Sequence, residues 1–246
     1  MYATADIKNS VTTFFTNLQA LVDKEPVPQK LSLNPAVARL PQSGYMFALS
    51  LTWYGKRTLE FDTWLKKLAS LAPMAGPSPQ EATKSTTTIE AMDGVTSSLP
   101  YGIHSHLQTV ALTHWSPQAI AAYAKHVELM IEGTGTAFHE VRAGSPSCGK
   151  PEDFPGSVFG IRRPHMMIEI LPFAFTPEDA VQVNNWAAAF RDELAATDAA
   201  LEWSYPSLTA PEHLNPEKLW GGNAKELREL KKEFDPTGIF KSLPAV

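Results

Sequence analysis

His104 and His106 stand two residues apart in the apolar run GIHSHLQTVALT, and on a strand that spacing puts both side chains on one face. Imidazoles so placed could share a metal ion, or serve as base and orienting group for a bound molecule. A metal would need a third ligand from Gln108, His139, Glu140 or Glu169, and the sequence sets none of these beside the pair. Polar lining of a sheet is the commoner role for such histidines, so no metal is expected. Cys148 is the one thiol of the chain. It sits in a loop broken by prolines, with no helix start to favour its thiolate, which argues against a nucleophile.

Other motifs fail on their own terms. The stretch from Gly144 to Lys150, GSPSCGK, comes within one residue of a phosphate-binding loop. Pro151, however, stands where the metal-binding hydroxyl belongs, and Pro146 removes an amide that would cradle phosphate. Gly133 and Gly135 lack the third glycine of a dinucleotide fingerprint and precede a strand instead of following one. The chain has no Gly-x-Ser-x-Gly elbow, which removes the usual α/β serine hydrolase.

The elements that must position these groups follow from periodicity. Asp6 opens a helix over 7–23, with Ile7, Val11, Phe14, Phe15, Leu18, Leu21 and Val22 on one stripe. Two strands, 30–40 and 44–55, flank the turn PQSG and are expected to pair. A helix over 57–71 leads into the loop PMAGPSPQ, the best candidate for an internal joint. Strands are then expected at 85–89, 102–113, 136–142, 157–162 and 165–174, with helices over 116–131, 177–196 and a last short one in NAKELRELKKEFDP. Runs of strands separated by long helices predict an α+β fold, its sheet mainly antiparallel and its helices covering one face. Residues 1–246 are read as one unit.

Composition narrows the classes further. With 246 residues, 43% of them hydrophobic, the chain can bury a core of its own. A formal net charge of −5 disfavours a nucleic-acid surface. No signal-like or membrane-spanning stretch stands out, so no membrane partner is expected and a cytoplasmic location is.

The C-terminal run is specific: LEWSYP from Leu201, then LWGGNAKELRELKKEFDPTGIF from Leu219 to Phe240. It resembles the closing segment of the berberine bridge enzyme-like branch of FAD-linked oxidases. That family has an Asn-Tyr pair, an aromatic-Gly-x-Asn turn, an Arg-Leu-containing helix and an Asp-Pro stop. Tyr205 stands at the tyrosine of the pair, which in several members acts as acid or base at the substrate, whereas Ser204 replaces the asparagine. Asn223 matches the asparagine of the turn and is expected to cap the last helix, with Leu227, Leu230 and Phe234 pinning that helix to the domain. The resemblance implies the family's substrate domain. A Gly-His dipeptide, which marks the family's FAD-binding domain, does not occur, so the chain alone is expected to hold no cofactor. FAD would enter only if a partner domain supplied it.

The resemblance also implies a sheet whose uncovered face meets the ligand. On the strand 45–54 that face would be Met46, Ala48, Ser50, Thr52 and Tyr54, with Gln108, Glu169 and Asn223 joining as substrate contacts. The other face, Phe47, Leu49, Leu51 and Trp53, reads as core. Three functions are open. In the first, a flavin-independent enzyme of secondary metabolism uses the pocket to steer cyclisation, isomerisation or cycloaddition, with Tyr205 as donor and His104 or His106 as base. In the second, the chain is the substrate-binding part of an FAD-dependent oxidoreductase that works with a flavin-bearing partner. In the third, it is a non-catalytic binding protein or a homodimeric scaffold. The ligand expected in each case is a small hydrophobic or aromatic molecule.

Overall fold

The structure is a computed structural model that describes residues 2–4, 6–71, 83–98, 101–142, 148, 151–153, 157–158, 161–203, 205–209 and 214–240. In chain order its elements are β1 (Tyr2–Thr4), α1 (Ile7–Lys24), β2 (Leu31–Leu40), β3 (Gly44–Trp53), α2 (Leu59–Ala69), α3 (Thr88–Ser98) and β4 (Gln108–Leu112). There follow α4 (Pro117–Glu128), β5 (Gly135–Val141), β6 (His165–Leu171), α5 (Pro177–Ala195), β7 (Ala200–Leu201), α6 (Pro216–Trp220) and α7 (Ala224–Phe234). The strands form one sheet in the order β1-β3-β2-β5-β6-β4-β7, with every pairing antiparallel. The α+β expectation holds.

Local chemistry sets the helix starts. Asp6, Thr58, Ser116 and Thr176 each accept a hydrogen bond from the backbone amide three residues on, capping α1, α2, α4 and α5. Pro117 and Pro177 occupy the first turn, where no amide is missed. β2 and β3 are joined through Gln42 and Gly44, both with positive φ, the geometry that lets the chain reverse in so few residues. Gly135 is required for another reason: a Cβ there would stand 3.1 Å from the Val37 carbonyl oxygen, where β5 meets β2.

One face of the sheet carries the core. Leu31, Leu33 and Val37 of β2 alternate inward, and opposite them lie Trp53, Leu51 and Phe47 of β3. From the helix layer, Phe15 of α1 stacks on Trp115 at 3.8 Å and meets Tyr123 of α4 edge-on at 5.1 Å and Phe138 of β5 at 6.1 Å. Tyr123 is fully enclosed, and its burial pushes the phenol pKa well above the usual range. Between α4 and α5, His126 stacks on Phe190 and its Nε2 lies 2.8 Å from Glu193.

Some expected elements differ. Of residues 85–89, expected as a strand, 85–87 precede α3 and 88–89 begin it, because Thr87 and Glu90 make a reciprocal capping pair at its start. The strand expected over 102–113 starts only at Gln108: Ser105 donates to the Pro172 carbonyl and the His106 amide to the Asn184 side chain, which draws the chain off the ladder. Of the strand expected over 157–162, residues 157–158 and 161–162 are not in a strand and 159–160 lie outside the described residues. The proposed joint PMAGPSPQ also lies outside them. β1 and β7 were not anticipated. No helix among the described residues is long and apolar enough to cross a membrane.

Candidate functional site

Register defines the face away from the helices. Residues paired across an antiparallel sheet point the same way, so Thr109, Glu169, Ala137, Ala36 and Ala48 form one row over β4, β6, β5, β2 and β3. The next row on that side holds Ala111, Met167 and His139. Three alanines make a shallow floor, and polar groups gather around β5 and β6.

There, His139 Nε2 lies 3.2 Å from Glu169 Oε1, with the carboxylate mostly buried and the imidazole half exposed. Asn34, from β2, completes the group once its amide is oriented so that the nitrogen faces acceptors. Its nitrogen, with two hydrogens to donate, then lies 2.8 Å from the Phe138 carbonyl oxygen, 3.2 Å from that of Leu33 and 3.2 Å from His139 Nδ1.

The β4 side of the face is covered by Trp203 and residues 205–209. Tyr205 donates its amide to Thr109 Oγ1 at 3.4 Å, and that hydroxyl is 2.7 Å from Thr209 Oγ1. Trp203 stands edge-on between the rings of His165, at 5.6 Å, and Tyr205, at 6.2 Å. The Tyr205 side chain is partly open to solvent. His165 is buried, and desolvation lowers its pKa below the ordinary value, with the Arg163 charge adding to the effect and the 2.8 Å contact to the Arg163 carbonyl opposing it.

The predicted site residues divide. Met46, Ala48, Ser50 and Thr52 share the open face with Glu169 as expected, and Tyr205 borders it. Tyr54 lies past the end of β3 and is largely exposed. Gln108 is a correction: it pairs with Ile170 in a core-facing row and is 4% exposed, its parity opposite to that of Thr109 and Glu169. His104 and His106 are exposed residues of the segment before β4, and neither shares a strand face. Asn223 makes no capping hydrogen bond, because it continues a helical turn from Gly221 and lacks the extended backbone of a cap. Asn215 instead caps α6, accepting from the amides of Glu217 and Lys218. Leu230 and Phe234 do not pin α7, since both are exposed and Ala224 is the buried residue of that helix. Ser204, Gly144, Gly149 and Lys150 lie outside the described residues. Glu140, weighed with His139 as a ligand, points to the core side beside Arg142, and burial raises its pKa against the pull of that arginine. No group of three His, Cys, Asp or Glu among the described residues is placed to hold a metal.

Asn34, Thr109, His139, His165 and Trp203 were not selected as site residues. The signal for one of them, His139, was strand alternation. In TAFHEV and HMMIEIL the core positions Phe138, Ile168 and Ile170 leave His139 and Glu169 on the opposite side.

Comparison with known proteins bears out the resemblance. Residues 205–246 match the family model described as berberine and berberine like. The chain is 26% identical over 234 residues to the FAD-linked oxidoreductase aurO of Gibberella zeae, covering 91% of this chain and 43% of that protein. Among solved structures it is similar to Physcomitrella patens BBE-like 1, with a TM-score of 0.65 at 14% identity over 94% of this chain and 50% of that one. It is also similar to the carbohydrate oxidase from Microdochium nivale, with a TM-score of 0.64 at 12% identity over 96% of this chain and 52% of that one. The chain thus spans about half the length of the proteins it matches.

Proposed function

We propose that the chain is the substrate-binding part of an FAD-linked oxidoreductase, with the open sheet face as the acid–base wall of its active site. The observation that carries this reading is the His139–Glu169 pair: a carboxylate set in a floor of alanines, oriented by an imidazole and flanked by Tyr205. The likeness of the fold to half of several oxidases, together with the matched closing segment, supports it.

The donor set suits the substrate side of a flavin. Glu169 is a proton acceptor, His139 and Tyr205 are hydrogen-bond partners, and the alanines leave room for flat rings. FAD, when bound, supplies the acceptor for the substrate's hydride. The chain's own residues manage the proton. Glu169 takes it from a substrate hydroxyl, the His139 imidazole stands beside the carboxylate, and Tyr205 bonds the substrate oxygen. Met46, Met167 and the alanines would form the surface shared by substrate and flavin.

Those surroundings favour a small aromatic or hydrophobic alcohol or phenol over a heavily hydroxylated sugar. The flavin would come from a partner domain. Cytoplasmic location belongs to the same proposal.

Protein isolated from its native host tests the reading. A visible flavin band that travels with the chain, and is bleached by substrate in wild type but not in Glu169→Gln, is expected. A colourless native protein that still turns over a reactive metabolite overturns it in favour of a flavin-free cyclase or isomerase.

A further inference from the structure

The open face of the sheet is not uniform, and its pattern follows from the register. One row runs from Ala48 on β3 over Ala36 on β2 and Ala137 on β5 to Glu169 on β6. Along one side of that row stand Ser50 on β3, Asn34 on β2 and His139 on β5. Along the other stand Met46, Ala38, Gly135 and Leu171. The alanine strip therefore has one polar and one apolar long edge. Glu169 leans to the polar edge, where its Oε1 meets His139 Nε2 at 3.2 Å.

The strip is closed at one end. Past Glu169 the row finishes at Thr109, which is 3% exposed beneath the Tyr205 amide and the Thr209 hydroxyl. A molecule whose hydroxyl reaches Glu169 must then extend the other way, over β5 and β2 towards β3. Three strand spacings give that floor a length of about 14 Å. Its alanines rise one carbon above the backbone, so a flat body covers it better than a branched or puckered one.

We infer that the site takes an elongated phenol of two or three linearly fused rings whose oxygens lie along one long edge. The reacting hydroxyl stands at Glu169. A second oxygen on the same edge, about one strand spacing further on, meets Asn34, with Ser50 beyond it, and the bare edge rests on Met46 and Leu171. A single ring would leave Ala36 and Ala48 uncovered, and an oxygen on the apolar edge would lose water without gaining a partner. The inference rests on the reading of this face as the substrate site, and adds the length of the substrate and the placement of its oxygens.

Equilibrium binding to the full chain, with neither flavin nor turnover, tests it, followed through the alanine methyl resonances of isotope-labelled protein. Anthracene-1,8-diol carries both hydroxyls on one edge, and is expected to bind saturably and to shift the Ala36 and Ala48 methyls. It should bind about tenfold more tightly than anthracene-1,5-diol, the same rings with oxygens on opposite edges, and than resorcinol, which has two similarly spaced hydroxyls on one ring. Ala48→Leu puts a side chain where the far ring lies, and is expected to remove the advantage over resorcinol while leaving resorcinol binding unchanged. Met46→Ser gives the apolar edge a hydroxyl and should narrow the gap between the two anthracenediols. No saturable binding, equal binding of the two isomers, equal binding of resorcinol, or an Ala48→Leu loss shared by resorcinol overturns the inference. The expected order in a chain whose native form carries no flavin would overturn the oxidoreductase reading alone, so the two fail separately.

Discussion

His139 Nε2 and Glu169 Oε1 face each other at 3.2 Å across β5 and β6, and Asn34 holds the far side of the ring. Asn34 is anchored by the Phe138 and Leu33 carbonyls, so the group joins residues of three neighbouring strands. In substrate oxidation, Glu169→Gln should lower kcat/KM by about a hundredfold or more, the usual worth of a positioned base. His139→Ala should cost less, and the double variant no more than Glu169→Gln alone, since the imidazole acts through the carboxylate. Additive losses in that cycle would separate the two residues.

Tyr205 is placed by its backbone, through its amide bond to Thr109, so its phenol is free for a ligand. Tyr205→Phe should leave the melting temperature unchanged and reduce kcat/KM by about tenfold, the worth of one hydrogen bond. Unchanged turnover with the true substrate would remove the phenol from the mechanism.

The Thr109 and Thr209 hydroxyls satisfy each other 2.7 Å apart, both nearly inaccessible. Thr109→Val strands the Thr209 hydroxyl and the Tyr205 amide and should destabilise the fold by about 1–3 kcal/mol, Thr209→Val leaves Thr109 accepting from that amide and should cost less, and replacing both should cost less than the sum of the two. Denaturant melts of the two single variants and the double variant measure this. A double variant as unstable as the sum of the singles would contradict the pairing.

The core aromatics give a sharper loss. Phe15 is 1% exposed and touches Phe14, Phe47, Trp115, Tyr123 and Phe138. Phe15→Ala should cost about 3–5 kcal/mol, read as a lowered denaturant midpoint. A loss below about 1 kcal/mol would mean that α1 does not seal the sheet.

How much of this was legible follows from which signals are local. The stripe of α1 and the alternation of β2 and β3 are written in residue spacing, and all three elements form where expected. His104 and His106 misled because alternation says nothing about where a ladder ends. That was set by Ser105 bonding the Pro172 carbonyl and by Asn184 on α5, contacts between residues far apart in sequence. Gln108 failed by parity alone, since one residue of register moves a side chain through the sheet. Glu169 was found, but its partner His139 was weighed only as a metal ligand, because the β5–β6 pairing that joins them is not visible in one sequence. Asn223 matched its motif, whereas the helical turn from Gly221 that denies it a capping role is a three-dimensional fact.

His165 should make stability fall in mild acid. Burial lowers its pKa in the fold from 6.5, so below that value the unfolded chain binds a proton that the folded chain resists. Its contribution is complete above 6.5 and is lost as pH falls through the folded value. Glu140 works in the opposite sense: its folded pKa is raised from 4.5, so its contribution is present below 4.5 and lost as pH rises through the folded value. Glu193, lowered chiefly by its hydrogen bond from Lys125, and Asp235, lowered chiefly by Lys231, weaken the fold only below 4.5 and 3.8 respectively. Between 4.5 and 6.5 the decline therefore belongs to His165, with Glu140 partly masking it. Denaturant unfolding over that window should show a loss that steepens in Glu140→Gln and flattens in His165→Phe, which keeps a ring against Trp203. If His165→Phe declines as steeply as wild type, the proton is taken up elsewhere and the buried imidazole is not the acid-sensitive group.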